Sequence, residues 1–185
     1  MQYHNYSWCP ALLVGIISDT HDHLKMVEKA FNLFVEKNVE YIIHLGDIIS
    51  PFVVKKMKAI IGDKNIKVIA TKGNNDGDIY LLKKLFDEVG WTFYSTPSMI
   101  SIDGLKIFIM HGYNGIEFTE KMAESIARSI GADIVLFGHT HRTVLKNINN
   151  TILFNPGEAC GYLTGKSTIG ILDTKTRKIE LITLN

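Results

Sequence analysis

Five times along this chain a short β-forming apolar run breaks off into a polar cluster, and few folds accommodate that pattern. Leu12–Ser18 leads into Asp19-Thr20-His21, and Tyr41–Leu45 into Gly46-Asp47. Val68–Lys72 leads into Gly73-Asn74-Asn75-Asp76, Lys106–Met110 into His111-Gly112, and Ile134–Phe137 into Gly138-His139-Thr140-His141. If each run is a buried strand, the clusters lie on loops at one end of a sheet, where open α/β folds place their sites. As candidate ligands that rim then gathers Asp19, Asp47, Asn74 and four His, enough for two metal ions.

The intervening segments carry helical spacing. Asp22–Lys37 carries Leu24, Val27, Phe31, Leu33 and Phe34 at helical spacing, with Thr20 or Asp22 as candidate cap. Phe52–Ile61 and Leu81–Phe86 read as further helices, and strand and helix alternate through Ile66–Thr71. After Pro97 strands dominate. Ile100–Ile102 and Lys106–Met110 flank Asp103-Gly104, a two-residue hairpin signal. Glu117–Ile130 is helical and ends before Gly131, a glycine suited to the left-handed position that closes a helix. Ile134–Phe137, Thr143–Asn147, Thr151–Phe154, Ser167–Leu172 and Lys178–Leu184 read as strands, with turns at Asn149-Asn150 and Thr174–Arg177. A βαβ first half and a β-rich second half predict an α/β four-layer αββα sandwich, two facing mixed β-sheets flanked by helices. A single doubly wound sheet is the alternative.

With 185 residues the chain has the length of one domain, expected over 11–185 behind a tail at 1–10 that carries His4, Tyr6 and Trp8. A net charge of +1 argues against nucleic acid as an obligatory partner, since backbone binding needs clustered Lys and Arg. Two distant cysteines, Cys9 and Cys160, form no disulfide framework, which makes the cytoplasm the default compartment. No apolar stretch approaches the ~20 residues that span a bilayer, so no membrane partner is expected.

The polar clusters suit hydrolysis of a phosphate ester. Two divalent ions about 3.5–4 Å apart polarise the phosphoryl group and acidify a water between them. An anionic ligand must bridge them, and Asp47 is the best candidate, with Gly46 allowing a tight turn before it. Asp19 and His21, two apart, share a face if the extended strand runs through them. His139 and His141 have the same spacing, though a loop could send them to different metals. Asn74 offers an amide oxygen and His111 an imidazole. His44, within an apolar strand, is read as a hydrogen-bonded core residue; His23 either supports the site or caps a helix. Cys160 reads as a small buried hydrophobe. Asn155-Pro156-Gly157 is expected to bring backbone close to the site.

The ordered series Asp-x-His, Gly-Asp, Gly-Asn-x-Asp, His and Gly-His-x-His, from Asp19 to His141, resembles the calcineurin-like metallophosphoesterase superfamily. Ser18–His23 and Asn155–Glu158 are similar to its small single-domain archaeal and bacterial phosphodiesterases. The resemblance implies the four-layer sandwich. It also implies Asp19, His21, Asp47 and His141 around one ion, and Asp47, Asn74, His111 and His139 around the other. The function implied is a dinuclear phosphodiesterase, hydrolysing small phosphate diesters through a metal-bridging hydroxide. Its cofactors would be two divalent transition-metal ions, manganese by preference, with Ni, Fe, Co or Zn also suited to these donors.

Many superfamily members carry His after the metal-binding Asn, where this chain has Asn75. An amide donates a hydrogen bond but delivers no proton, which disfavours monoesters of sugars and nucleosides with their poor leaving groups. Asn75 and Asp76 are the candidate catalytic residues, Asp76 as a possible proton source. Two other readings compete: a phosphomonoesterase or nucleotidase, and a non-catalytic protein-interaction scaffold, as the small subunit of retromer is.

Overall fold

The computed structural model describes residues 11–184, so the expected tail at 1–10 lies outside it. Its elements follow in chain order: β1 (Leu13–Ile17), α1 (Leu24–Glu36), β2 (Tyr41–His44), α2 (Pro51–Ile61), β3 (Lys67–Thr71), α3 (Ile79–Asp87), β4 (Thr92–Tyr94), β5 (Ser98–Ile102), β6 (Leu105–Ile109), α4 (Ile116–Ser129), β7 (Ile134–Leu136), β8 (Thr143–Ile148), β9 (Thr151–Pro156), β10 (Thr168–Asp173) and β11 (Ile179–Thr183). Two mixed sheets result, ordered β11-β10-β1-β2-β3-β4 and β5-β6-β7-β9-β8.

Alternation along the strands builds the layers. On β1 and β2, Ile17 and Ile42 pack outward with Val27, Phe31 and Phe34 of α1 and Val53, Val54 and Met57 of α2. Val14, Ile16 and Ile43 face inward onto Ile107 and Ile109 of β6, Ile134 and Leu136 of β7 and Phe154 of β9. On the far side of the second sheet, Val135 and Leu153 meet Ala123 and Ala127 of α4. Helix, sheet, sheet and helix thus enclose three apolar interlayers, the four-layer sandwich expected.

The division between sheets does not follow the two halves of the chain. Strands β10 and β11 return to the first sheet, β10 pairing antiparallel with β1 from Leu13↔Asp173 to Ile16↔Gly170. β1 has apolar side chains on both faces and cannot serve as an edge. β10, buried from Thr168 through Leu172, fills that position. Close approach is built in there: a Cβ on Gly170 would stand 2.6 Å from the Phe154 ring, and one on Gly15 2.7 Å from Phe34.

Several local expectations change. β4 was not expected; three residues show no periodicity, and pairing with β3 creates it. α1 is capped by neither Thr20 nor Asp22. Its N-cap is His23, which makes no side-chain cap hydrogen bond, and the Asp22 carboxylate instead accepts from Ser50 Oγ at 2.6 Å. α2 begins at Pro51 behind Ser50, and α3 begins earlier than expected because Asp78 caps it. Asp103 and Gly104 both take positive φ, as the hairpin requires.

Gly170→Ala should overpack the space between the sheets. The expected cost is about 1–3 kcal/mol, partly recovered when Phe154→Leu is added. Urea unfolding of the single and double variants measures both effects, and an unchanged midpoint for Gly170→Ala would contradict the packing described.

Candidate metal centre

The parallel strands β1, β2 and β3 and, in the second sheet, β6 and β7 deliver their following loops to one rim. Cross-loop hydrogen bonds lock these loops together. Asp19 N donates to Gly46 O, and Thr20 N and His21 N both donate to Asp47 O, each at 3.1 Å. Gly138 N donates to His111 O at 2.8 Å, and Ala159 N to Ser18 O at 2.9 Å. Asp19, His21, Asp47, His139 and His141 all have positive φ, between 41° and 68°. Asp19 and His21 therefore do not lie on a continued extended strand; β1 stops at Ile17 and a left-handed turn aims both side chains inward. Side chains pay strain in that region, and its concentration here is typical of a site whose surroundings over-determine it.

Two glycines let the loops close. A Cβ on Gly73 would fall 2.2 Å from Asp47 N and Oδ1, and one on Gly138 2.1 Å from Ser18 Oγ.

The donor atoms fall into two sets that share one oxygen. On one side His21 Nε2 stands 3.8 Å from Asp19 Oδ1 and 3.3 Å from Asp47 Oδ2. His141 Nε2 lies 3.4 Å from Asp19 Oδ1. On the other side His111 Nε2 stands 3.5 Å from the same Asp47 Oδ2, while Asn74 Oδ1 lies 2.9 Å from His111 Nε2 and 2.7 Å from His139 Nδ1. Two ligands held about 2.1 Å from one tetrahedral ion stand about 3.4 Å apart, close to the wider of these spacings. Asp19 Oδ1 and His21 Nε2 are buried with no hydrogen-bond partner, which is costly for polar atoms unless something else satisfies them. Turning the Asn74 amide would satisfy its two histidine contacts without a cation; Asp19 Oδ1 faces the His21 and His141 imidazoles at 3.8 and 3.4 Å, beyond good hydrogen-bond distance. These residues fit a metal ion. Asp19, His21 and His141 could hold one together, and Asp19, Asp47 and His111 also cluster closely enough to do so.

The field at the rim favours positive charge. Burial opposes ionisation of Asp47, yet hydrogen bonds from His111 and Asn75 hold its carboxyl well below the usual range. The Asp19 carboxylate raises the affinity of His21 for a proton, against the effect of burial. Burial works against the His111 imidazolium too, but Asp47 and Asp19 more than offset it.

A sequence profile of the calcineurin-like phosphoesterase superfamily domain matches residues 12–177. The chain belongs to that superfamily. It is 41% identical over 172 residues to the phosphodiesterase MJ0936 of Methanocaldococcus jannaschii, covering 92% of this chain and 98% of that one. It is 23% identical to the Escherichia coli phosphodiesterase YfcE, over 91% of this chain and 90% of that one. A solved archaeal phosphodiesterase superposes with a TM-score of 0.82 at 41% identity, covering 93% of this chain and 99% of that one. A zinc-complexed Vps29 of Entamoeba histolytica shares the fold at 20% identity and a TM-score of 0.63, over 94% of this chain and 100% of that one.

Around the superfamily's ordered residues stands a supporting layer. His111 Nδ1 donates to Leu45 O at 2.7 Å, leaving Nε2 free to face inward. His139 Nε2 donates to Asn114 O, which leaves Nδ1 as its inward atom. Asp76 accepts from Gly73 N at 2.7 Å, Ile49 N at 2.7 Å and Asp47 N at 3.1 Å. Asn75 is exposed and donates to Asp47 twice, through its backbone N and its Nδ2, both at 2.8 Å. His44 is a buried core residue as expected, bonded to Thr20 Oγ1 and Gly46 N, and burial pushes its imidazolium down to about 4. His23 stacks on Tyr162 with ring centroids 5.2 Å apart. The Asn155–Gly157 turn reaches the site loops through a side chain: Asn155 Nδ2 donates to Gly138 O at 3.0 Å, and Gly157 N closes the turn on Asn155 Oδ1 at 2.8 Å.

Sequence reasoning missed Glu158. Fully buried, it accepts from His141 Nδ1 at 2.7 Å, Cys160 Sγ at 3.1 Å, Leu163 N at 3.0 Å and Thr164 Oγ1 at 2.7 Å. Burial opposes its ionisation, but the bonds from His141 and Thr164 prevail and its carboxyl sits at about 2. Cys160 is buried as expected, and burial pushes its thiol up to about 12. The available signal was a lone acidic residue between Gly157 and the small residues Ala159 and Cys160, in a segment otherwise suited to a core.

Glu158 holds the ring of His141 with Nε2 turned inward, and such partners typically contribute about 10–100-fold to metal affinity. Glu158→Gln should weaken divalent-metal binding by about that factor while leaving the fold intact. Competition titration against a metallochromic chelator measures it; wild-type affinity in the variant would contradict the role.

Proposed function

We propose that the chain is a metal-dependent phosphodiesterase that holds two divalent ions and hydrolyses small phosphate diesters. The observation that carries this reading is Asp47 Oδ2, standing between His21 Nε2 at 3.3 Å and His111 Nε2 at 3.5 Å. One anionic oxygen there serves both donor sets. Asp19, His21, Asp47 and His141 would hold one ion, and Asp47, Asn74, His111 and His139 the other. Such ions supply an acidified water and neutralise phosphoryl charge; manganese is the preferred occupant, since mixed imidazole, carboxylate and amide donors suit a transition metal.

The chain's own residues do the rest by placement. Glu158 and the Leu45 carbonyl fix the inward nitrogens of His141 and His111. Asn75, exposed beside Asp47, can donate to a phosphoryl oxygen without supplying a proton to the departing group. That supports diesters with good leaving groups over monoesters of sugars and nucleosides. Asp76 has both oxygens engaged by backbone N–H groups, which supports a positioning role: it shapes the Gly73–Asp76 loop around Asp47.

The scaffold reading draws on the likeness to Vps29, and a zinc-complexed Vps29 means that metal binding alone does not separate the two readings. Turnover separates them. Chelator-treated protein should lose hydrolysis of bis(p-nitrophenyl) phosphate and recover it with Mn²⁺ but not with Mg²⁺ alone, which prefers oxygen ligands. Mn²⁺ analysis should give two ions per chain, both lost together in Asp47→Ala. At most one ion in loaded wild type would end the dinuclear reading, and a folded protein that no metal reactivates would favour the scaffold.

A further inference from the structure

Beside the metal centre a cavity of ≈220 Å³ is lined by His141, Arg142, Thr143, Thr164, Lys166 and Thr168. Its chemistry is the opposite of its neighbour's. The metal centre is built on carboxylates, whereas this lining holds two cations, three hydroxyls and no acid. Among the described residues neither Arg142 nor Lys166 forms an ion pair. By contrast Arg177 pairs with Asp133.

The cavity and the metal centre share one anchor. Glu158 holds His141 through Oε2 and Thr164 through Oε1. Thr164 Oγ1 in turn accepts from Lys166 N at 3.2 Å, and Thr168 Oγ1 donates to Pro156 O. The wall that carries Lys166 is therefore fixed relative to the candidate ligand His141, a preorganisation that spares a ligand the ordering cost. The volume lies below the roughly 300–1,000 Å³ of pockets that enclose drug-sized ligands. It admits a charged group on a short linker.

We propose that this cavity is a substrate subsite for a second anionic group, a phosphate or a carboxylate, carried on one arm of the diester. Arg142 presents a guanidinium fork that matches either oxyanion, and Lys166 adds a point charge. The Thr143 hydroxyl supplies a further donor at the cavity wall. The proposal rests on the phosphodiesterase reading and narrows its substrate class to diesters with a doubly anionic character.

The test uses p-nitrophenyl propyl phosphate diesters whose propyl arm ends in hydroxyl, carboxylate or phosphate, with the Mn²⁺-loaded full chain. At low salt, kcat/KM should favour the anionic arms by about tenfold or more, and salt should erode the advantage. The ratio of carboxylate to phosphate arms shows which oxyanion the cavity takes. The double variant Arg142→Ala, Lys166→Ala should bring anionic and hydroxyl arms to parity, and Arg142→Glu should invert the preference. Parity in wild type, or an advantage that survives the double variant, overturns the subsite while leaving the phosphodiesterase reading intact. If no metal supports turnover of any arm, calorimetric titration with 3-hydroxypropyl phosphate replaces rates. Binding lost in the double variant then upholds the subsite as the reaction falls, and binding equal in both proteins overturns it.

Discussion

Everything at the rim follows from four buried carboxylates, Asp19, Asp47, Asp76 and Glu158, brought together with no lysine or arginine paired to any of them among the described residues. Two like charges about 4 Å apart repel by about 4 kcal/mol at an effective dielectric near 20, so such a group needs compensation. Asp76 obtains it from backbone N–H groups, and Glu158 from the side chains of His141, Cys160 and Thr164 together with the Leu163 N–H. Asp47 obtains it in part, from His111 and Asn75. Asp19 Oδ1 obtains none and is left orphaned beside His21 Nε2. The molecule has thus divided its acids into two that are satisfied internally and brace the loops, and two that remain open for an external cation.

The fold serves that division. Parallel strands end at one rim, left-handed turns at Asp19, His21, Asp47, His139 and His141 redirect the side chains, and Gly73 and Gly138 allow backbone to come where a Cβ would collide. Strain in the ligand loops is supported by the cross-loop hydrogen bonds and, behind them, by the three apolar interlayers. Glu158 joins this framework to the region beyond it. One carboxylate fixes the candidate ligand His141 and also the Leu163-Thr164 turn, so the metal centre and the basic cavity beside Arg142 share a tether.

How much of this was legible in the sequence depends on range. The apolar runs and their terminal clusters are local, and they marked the strand ends, the helices and the seven candidate donor residues from Asp19 to His141. Pairings that depend on distant chain were not legible: β4 exists only through β3, and β10 joins β1 because β1 cannot be an edge. The same limit hid Glu158, whose role needs His141 placed against it by the fold. It also misdirected the reading of Asp19 and His21, since a period of two describes a strand and the chain turns left-handed after Ile17. Asp76 was singled out by composition as a proton source, whereas its three backbone donors become visible only once Ile49 and Asp47 are folded over it.

The open charge at Asp19 is most directly tested by thermal unfolding of wild type and Asp19→Asn at pH 8.5, with and without Mn²⁺. A side-chain amide in place of Oδ1 can donate to the His21 and His141 nitrogens and removes one repulsive charge. The metal-free variant should therefore melt no lower than metal-free wild type, while Mn²⁺ should stabilise wild type by RT ln(1 + [L]/Kd), about 2.7 kcal/mol at a hundredfold excess over Kd, and leave the variant nearly unmoved. A metal-free variant that melts well below wild type, with both proteins gaining equally from Mn²⁺, would mean that Asp19 is an ordinary structural acid and that the rim is not built around a cation.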